Sequence, residues 1–253
     1  MLAVERRKLF LTEITEKGNA TVSYLATLAG VTEETVRRDL QVMESDGSVI
    51  KTHGGAVLNE GNTVDVSSDL RQKINYREKT RIAKEACKLI QKNDVIYLDS
   101  STTSLFLAKE LKKMADITVV TNSLHILNEF ASTPAIKIIS TGGTFVHKNQ
   151  SFVGATAQAF IAQNYYVNKA FFSCRGVGKD GVLLESDEQE AAIKAQMLNV
   201  AQEKILIVDN SKFGRFGSVK LCDITDATMI ITDNRKSATF NKGIKPKKLV
   251  IAQ

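Results

Sequence analysis

Thr32-Glu33-Glu34-Thr35-Val36-Arg37-Arg38-Asp39-Leu40 is the stretch from which the organisation of this chain can be read. Thr32 suits a helix start, because its hydroxyl oxygen can accept from a first-turn backbone N–H, and Glu33 and Glu34 favour the positive end of the helix dipole. At 3.6 residues per turn Val36, Leu40 and Met43 share one face and form a core stripe. Glu34, Arg38, Gln41 and Ser45 point the other way, and Thr35 and Arg37 sit on the flanks. Upstream, Val22, Leu25 and Leu28-Ala29 mark a shorter amphipathic helix, and Gly30-Val31 makes a turn of the length used in helix-turn-helix units. The pair predicts a bracing helix followed by one that enters a DNA major groove.

On the amino-terminal side, residues 3–17 read as an opening helix whose Val4, Leu9, Phe10, Leu11 and Ile14 can pack on the other two, with Gly18-Asn19 ending it. On the carboxyl side Ser45-Asp46-Gly47-Ser48 is a turn, and Val49 to Val57 reads as two short extended pieces around a basic, glycine-marked tip. That is the pattern of a winged helix-turn-helix. Lys51 and His53 can reach phosphate or a minor groove, and Gly54-Gly55 lets the backbone approach closely. Residues 1–57 hold seven basic and eight acidic side chains, so the argument for DNA rests on where the cations sit rather than on bulk charge.

This segment resembles the DNA-binding domain of the DeoR family of bacterial transcriptional regulators. The family's motif is matched by Thr32, Thr35, Val36, Arg37, Arg38, Asp39 and Leu40, its upstream portion by Arg6 and Ile14, and its trailing wing by His53-Gly54-Gly55-Ala56. Phe10 stands where an aliphatic residue is usual.

The 253 residues suffice for two domains, and 43% apolar with 25% charged is ordinary globular composition. No run of about 18 apolar residues is present to span a bilayer, and Glu5 and Lys8 lie where a signal peptide needs an apolar run, so a cytoplasmic protein is expected. Cys87, Cys174 and Cys222 are few, spread out and odd in number, which fits reduced thiols. Three histidines and no close Cys/His cluster argue against zinc, and no cofactor is expected. Of the net charge of +6, the excess lies after residue 57, where 27 basic residues face 20 acidic ones. They crowd around Arg71 to Lys84 and in the tail at Lys242, Lys245, Lys247 and Lys248.

The polar, aperiodic run after Leu58 reads as a linker. The expected division is 1–57 for the winged helix-turn-helix domain, 58–75 for the linker and 76–253 for an effector-binding domain. After a helix at 77–91, apolar strand runs (Val95–Leu98, Ile117–Val120, Ile136–Ile139, Ala170–Ser173, Ile205–Val208, Met229–Ile231, Leu249–Ile251) alternate with helices at 103–114, 123–132, 155–163 and 187–202. Strands without polar alternation, separated by helices, predict a mostly parallel α/β sheet covered on both faces. Ligands in such folds gather beyond the carboxyl ends of the strands. The residues there are Asp99-Ser100-Ser101-Thr102-Thr103, Thr121-Asn122-Ser123, Thr141-Gly142-Gly143 and Asp209-Asn210-Ser211-Lys212-Phe213-Gly214. Hydroxyls at helix starts and the point charge of Lys212 are suited to an anion.

This half resembles the DeoR-type C-terminal sensor domain, related in fold to ribose phosphate isomerase. The family's Asp-Ser-Gly-Thr-Thr, Thr-Asn-Ser, Gly-Gly and Asp-Ser-Ser-Lys-Phe-Gly correspond to Asp99–Thr103, Thr121–Ser123, Gly142-Gly143 and Asp209–Gly214. Ser101 stands where the family has a glycine, the residue that adopts positive φ without strain. The resemblance implies a phosphorylated sugar as effector, bound through Asp99, Ser100, Ser101, Thr102, Thr103, Thr121, Asn122, Ser123, Gly142, Gly143 and Lys212. An isomerase would need a carboxylate after Ala170–Ser173, where the chain continues Cys174-Arg175-Gly176. The acidic residues Glu185, Asp187, Glu188 and Glu190 read as dipole-favouring residues at a helix start, and Cys174 as a buried small residue at a strand end.

The expectation is therefore a regulator that is not an enzyme, a repressor of a sugar-utilisation operon. Thr35, Glu34, Arg38 and Gln41 would read bases, Arg37, Lys51 and His53 would hold phosphates or the minor groove, and Thr32 would cap the reading helix. Its partners would be double-stranded operator DNA, a phosphorylated sugar and further copies of itself as a homodimer or homotetramer. The competing readings are an isomerase fused to a DNA-binding module and a sensor acting through a protein partner.

Overall fold

The computed structural model describes residues 1–45, 48–58, 68–234 and 247–253, which form two compact units, Met1–Asn75 and Tyr76–Gln253. The expected turn at Asp46-Gly47, residues 59–67 of the expected linker, and Lys242 and Lys245 lie outside the described residues.

The first unit runs α1 (Ala3–Lys17), β1 (Asn19–Thr21), α2 (Val22–Ala29), α3 (Glu33–Ser45), β2 (Val49–Thr52), β3 (Gly55–Leu58) and α4 (Ser68–Lys73). Thr21 caps α2 by accepting from the Tyr24 N–H at 3.2 Å, and Gly30, at φ +63°, ends it in the left-handed conformation that glycine adopts without strain. Phe10, Ile14, Leu25, Val36, Leu40, Met43 and Val49 close one core between the helices and the small sheet. That sheet is antiparallel in the order β1-β3-β2. Gly55 sits in its middle strand, where a Cβ would lie 2.1 Å from the Ala20 carbonyl oxygen, so only glycine fits.

Three details depart from the sequence reading. Val4 and Leu28, expected in the core, are exposed, because Phe10 and Ile14 on α1 and Leu25 and Ala26 on α2 fill the available space. The three-residue β1 was not expected, since Ala20 is its one inward side chain and gives no alternation to see. The interval assigned to the linker is partly structured: Leu58 pairs with Val49 in the wing, and Ser68–Lys73 is helical.

The second unit runs α5 (Tyr76–Cys87), β4 (Val95–Leu98), α6 (Thr102–Leu111), β5 (Ile117–Thr121), α7 (Leu124–Phe130), β6 (Ile136–Ser140), β7 (Thr144–Val146), β8 (Ser151–Val153), α8 (Ala155–Asn164), β9 (Val167–Phe172), β10 (Gly176–Val177), β11 (Val182–Glu185), α9 (Glu188–Asn199), β12 (Ala201–Ile207), β13 (Val219–Asp223), β14 (Met229–Thr232) and β15 (Leu249–Ile251). The seven strand runs read from sequence form one parallel sheet, ordered β15-β14-β12-β9-β4-β5-β6.

Both faces of this sheet are buried. Ile96, Leu98, Val119, Phe171, Ile205, Ile207 and Ile231 meet Ile82 and Ala86 of α5, Leu105 of α6 and Ile126 and Phe130 of α7 in one core. Tyr97, Val120, Ala170, Phe172, Leu206 and Ile230 meet Ala157 and Ile161 of α8 and Ile193 and Met197 of α9 in the other. Adjacent strand residues thus enter opposite cores, which is why the runs show no polar alternation. At about 1.5–3 kcal/mol for each fully buried large apolar side chain, these two cores dominate the fold's stabilisation. Two small antiparallel sheets, β7-β8 and β10-β11-β13, were not expected. Their strands are two to five residues long, too short for a periodic signal.

Candidate functional sites

In the first unit Thr32 Oγ1 accepts from the Thr35 N–H at 3.3 Å, as a helix cap does, and lies 3.0 Å from Thr35 Oγ1. Val36, Leu40 and Met43 are buried, which leaves Glu34, Arg37, Arg38 and Gln41 exposed and Thr35 half-buried on the outer surface of α3. Arg37 is paired with Glu33 at 2.8 Å. Lys51 of the wing donates to Gln41 Oε1 at 2.5 Å and lies 4.0 Å from Glu44 Oε2, so wing and helix present one connected polar face. His53 is exposed at the wing tip. Among the described residues no hydrogen bond or ion pair engages the exposed Arg38 guanidinium.

Asp39 has a different role. It is buried, accepts from Arg6 Nε at 2.6 Å and faces Arg7 Nε at 3.9 Å, fastening α3 to α1. Its position between Arg38 and Leu40 gave no hint of this, because Arg6, its hydrogen-bond partner, lies 33 residues upstream.

In the second unit the four loops lie at the carboxyl edge of the parallel strands, yet most of their side chains are already occupied. Asp99 is fully buried. Its Oδ1 accepts from the Ser101 N–H at 3.1 Å and Ser104 Oγ at 2.5 Å, and its Oδ2 from the Ser173 N–H at 2.9 Å. Ser101 caps α6 through the Ser104 N–H at 3.1 Å, and with φ −72° its backbone is extended, so the serine replaces glycine without left-handed strain. Thr102 and Thr103 are buried in the first turn of α6, where helix geometry leaves the N–H groups without intrahelical partners.

Thr121 donates to the Leu98 carbonyl at 2.7 Å, Asn122 accepts from the Tyr97 hydroxyl at 2.8 Å, and Ser123 caps α7. Gly142 and Gly143 have φ of +62° and +113°. A Cβ on Gly143 would sit 2.5 Å from the Val153 carbonyl oxygen and 2.9 Å from Ala157 Cβ, whereas one on Gly142 would meet nothing within 4 Å. Gly143→Ala is therefore expected to cost about 1–3 kcal/mol through overpacking as well as strain, and Gly142→Ala about 1 kcal/mol through strain alone. Urea midpoints of the two variants measure the difference, and equal losses would contradict it.

At the end of β12, Asp209 accepts from the Ser211 N–H at 3.1 Å and Ser211 Oγ at 2.5 Å. Burial alone would raise its pKa, but the charges of Lys212 and Lys79 and the Ser211 bonds outweigh that and hold the carboxyl below its usual range. Lys79, buried on α5, was missed from sequence although it falls on the apolar stripe of Ile82, Ala83 and Ala86.

Two further acids were misread. Asp187 does cap α9, accepting from the Gln189 and Glu190 N–H groups at 3.0 Å. Glu185 and Glu190, however, are buried and turned inward rather than serving the helix dipole. Lys194 Nζ, also buried, lies 2.5 Å from Glu185 Oε1, 3.2 Å from Asp99 Oδ2 and 3.0 Å from the Ser173 carbonyl. Desolvation would lower the lysine's pKa, yet Glu185, Asp99 and Glu190 together drive it upward. Desolvation raises Glu185, which has Lys194 for a cation but Glu190 and Asp99 as like charges. The lysine's rise comes from the carboxylates around it, whereas that of Glu185 comes first from burial, which the lysine only partly offsets.

Cys174 next to them is buried and its thiol is pushed up to about 12, chiefly by desolvation, so at neutral pH it is a protonated packing residue and not a nucleophile. Among the described residues no helix is long and apolar enough to cross a membrane, and no group of three or more His, Cys, Asp or Glu is placed to hold a metal ion.

Comparison with known proteins agrees with this two-part construction. The model of the DeoR-like helix-turn-helix domain matches residues 6–62, and that of the DeoR C terminal sensor domain matches residues 74–234. The L-fucose operon activator of Haemophilus influenzae is 35% identical over 230 residues, 90% of this chain and 91% of that protein. The putative aga operon transcriptional repressor of Escherichia coli O157:H7 is 30% identical over 243 residues, 95% of this chain and 90% of that protein. Among solved structures, ribose 5-phosphate isomerase A from Methanocaldococcus jannaschii aligns with a TM-score of 0.41 at 19% identity, covering 55% of this chain and 54% of that one. With both of its parts matched in order over nearly the whole chain, the protein belongs to the DeoR family of DNA-binding transcriptional regulators.

Proposed function

We propose that this cytoplasmic regulator is a repressor of a sugar-utilisation operon, and that a phosphorylated sugar held at the carboxyl edge of the parallel sheet controls its grip on operator DNA. The observation that carries the DNA half is the exposed polar face of α3, with Arg38 unengaged among the described residues and Lys51 and Gln41 joined beside it. In this reading Arg38, Thr35, Glu34 and Gln41 read base edges, Arg37, Lys51 and His53 hold the backbone or minor groove, and Thr32 fixes the helix start. One such helix reads few base pairs, so a homodimer or homotetramer on repeated half-sites is expected.

For the effector, Lys79 and Lys212 both act on Asp209, and the start of α6 lies at the same edge of the sheet. Two cations and a helix amino end suit a phosphate, and Ser100, Ser101, Thr102, Thr103, Thr121, Asn122, Ser123, Gly142 and Gly143 line the rest of that edge. Asp99 is saturated with internal bonds and organises the loop rather than touching ligand. The buried acids Glu185 and Glu190 are likewise committed to Lys194 and to neutral donors. That supports sensing rather than isomerisation, which needs a carboxylate free to move a proton.

Lys212→Ala is expected to raise the dissociation constant of the effector about tenfold, the loss of one charge-assisted bond, while DNA affinity stays at the parent value. A thermal-shift panel of sugar phosphates measures it: a ligand at a hundred times its dissociation constant adds about 2.7 kcal/mol to the parent, and the variant should need about ten times more. An unchanged dose response would remove Lys212 from the site. The sign of control is read by a reporter fused to the protein's own promoter. Deleting the regulator raises expression under a repressor and lowers it under an activator.

A further inference from the structure

Glu190 stands in the first turn of α9, but its buried carboxylate joins two segments that are distant in sequence. It accepts from Ser100 Oγ at 3.0 Å, in the loop after β4, and from Asn149 Nδ2 at 3.1 Å and Ser151 Oγ in the β7-β8 hairpin. The hairpin, residues 144–153, is bracketed by left-handed glycines, Gly142 (+62°) and Gly143 (+113°) before it and Gly154 (+95°) after it. Residues that tolerate unusual φ at both ends of a segment are the positions where a hinge absorbs rotation. Further bonds fasten the hairpin to the loop after β5. Asn122 Nδ2 donates to the Phe152 carbonyl at 3.1 Å, the Phe152 N–H donates to the Asn122 carbonyl at 2.8 Å, and the Leu124 N–H to the Gln150 carbonyl at 2.8 Å.

We infer that Glu190 is a positioning residue of the sensor, which couples the 99–103 loop to the hinged β7-β8 hairpin so that occupancy at the loop is passed to the hairpin. The inference rests on the reading of the 99–103 loop as part of the effector site. The physical ground is that both Ser100 and the hairpin donate to one buried carboxylate. A ligand that draws Ser100 away changes what Asn149 and Ser151 meet, because all three donate to the same buried side chain. Coupling of this kind requires one element with two arrangements that the ligand distinguishes, and a hairpin between glycine hinges supplies it.

Hydrogen–deuterium exchange on the full chain tests it, with wild type, Glu190→Gln and Ser151→Ala, each alone and with inorganic phosphate or a mixture of pentose and hexose phosphates. Gln keeps the shape but offers one acceptor oxygen in place of two. Exchange across 144–153 in ligand-free Glu190→Gln is expected to rise about tenfold, with a smaller rise in Ser151→Ala. Where wild type shows ligand-dependent change in both 95–103 and 144–153, Glu190→Gln should keep the first and lose the second, an outcome that mere loosening does not produce. Exchange in β9 reports whether the sheet is intact; if Glu190→Gln fails to fold, Ser151→Ala carries the test by the same two readouts. A hairpin that exchanges at the wild-type rate, or that still follows the ligand in both variants, overturns the coupling. A wild type whose 95–103 segment answers to no probe overturns the effector reading instead, and with it the ligand-dependent part of the inference.

Discussion

Replacing Arg38 by alanine is expected to weaken binding to operator duplex by about 5- to 150-fold, the roughly 1–3 kcal/mol of a lost bidentate base contact. Stability should stay within about 0.5 kcal/mol of the parent, because the side chain is exposed and unengaged among the described residues. The comparison with Arg37→Ala makes the result specific. Arg37 already has Glu33 at 2.8 Å, and any phosphate contact it makes carries no sequence information. Its loss should lower affinity for operator and unrelated DNA alike and reduce the salt slope by about one, whereas Arg38→Ala should narrow the ratio between them. Gel shifts at two salt concentrations, on operator and scrambled duplexes, read both. A variant at position 38 that binds operator as the parent does would remove α3 from the major groove.

The exposure of Arg38 follows from the sequence, whereas the burial of Asp39 beside it does not. Helical periodicity alone puts Arg38 opposite Val36, Leu40 and Met43, so an exposed role follows from the spacing. Asp39 lies on the margin of that stripe, and its burial depends on Arg6 arriving from α1. Tertiary partners of this kind leave no local trace. The same contrast holds in the sensor unit. Seven strands were legible because each is a run of apolar residues entering two cores, and the loops that follow them had to gather at one edge once the sheet was parallel. The internal bonding of those loops was not legible: Asp99, Thr121 and Asn122 each spend their polar atoms on backbone or side chains 2 to 74 residues away.

A signal for the missed residues did exist. Lys79 falls on the apolar stripe of α5, and Glu190 and Lys194 fall on that of α9 with Ile193 and Met197. A charged side chain at a core position is costly unless paired, so such positions mark either a buried pair or a ligand. Reading the acids at 185–190 only as dipole partners overlooked that Glu190 stands four residues before Lys194 on one helix face, while Glu185, on β11, reaches the lysine only through the fold.

That buried lysine sets the largest expected loss of stability. Lys194→Ala should destabilise the sensor unit by about 3–5 kcal/mol, because it leaves Asp99, Glu185 and Glu190 together without the cation they share. For a unit of this size that is a fall in Tm of about 6–20 °C. The pH dependence has a definite sign. In the parent, the raised pKa of Lys194 means that its stabilisation is complete below the ordinary lysine range and is lost only as pH climbs past it, so it is constant from pH 5 to 9. The raised pKa of Glu185 acts the other way: the native state holds that proton more firmly than the unfolded chain, so its contribution weakens as pH rises out of the usual carboxylate range. Without Lys194 the acids repel one another unscreened and that second slope must steepen. The loss caused by Lys194→Ala should accordingly shrink as pH is lowered toward the carboxylate range, where protonation replaces the missing cation. Urea unfolding of parent and variant at pH 7.5 and pH 5 measures it. A loss of the same size at both values would show that Lys194 matters for its packing and not for its charge.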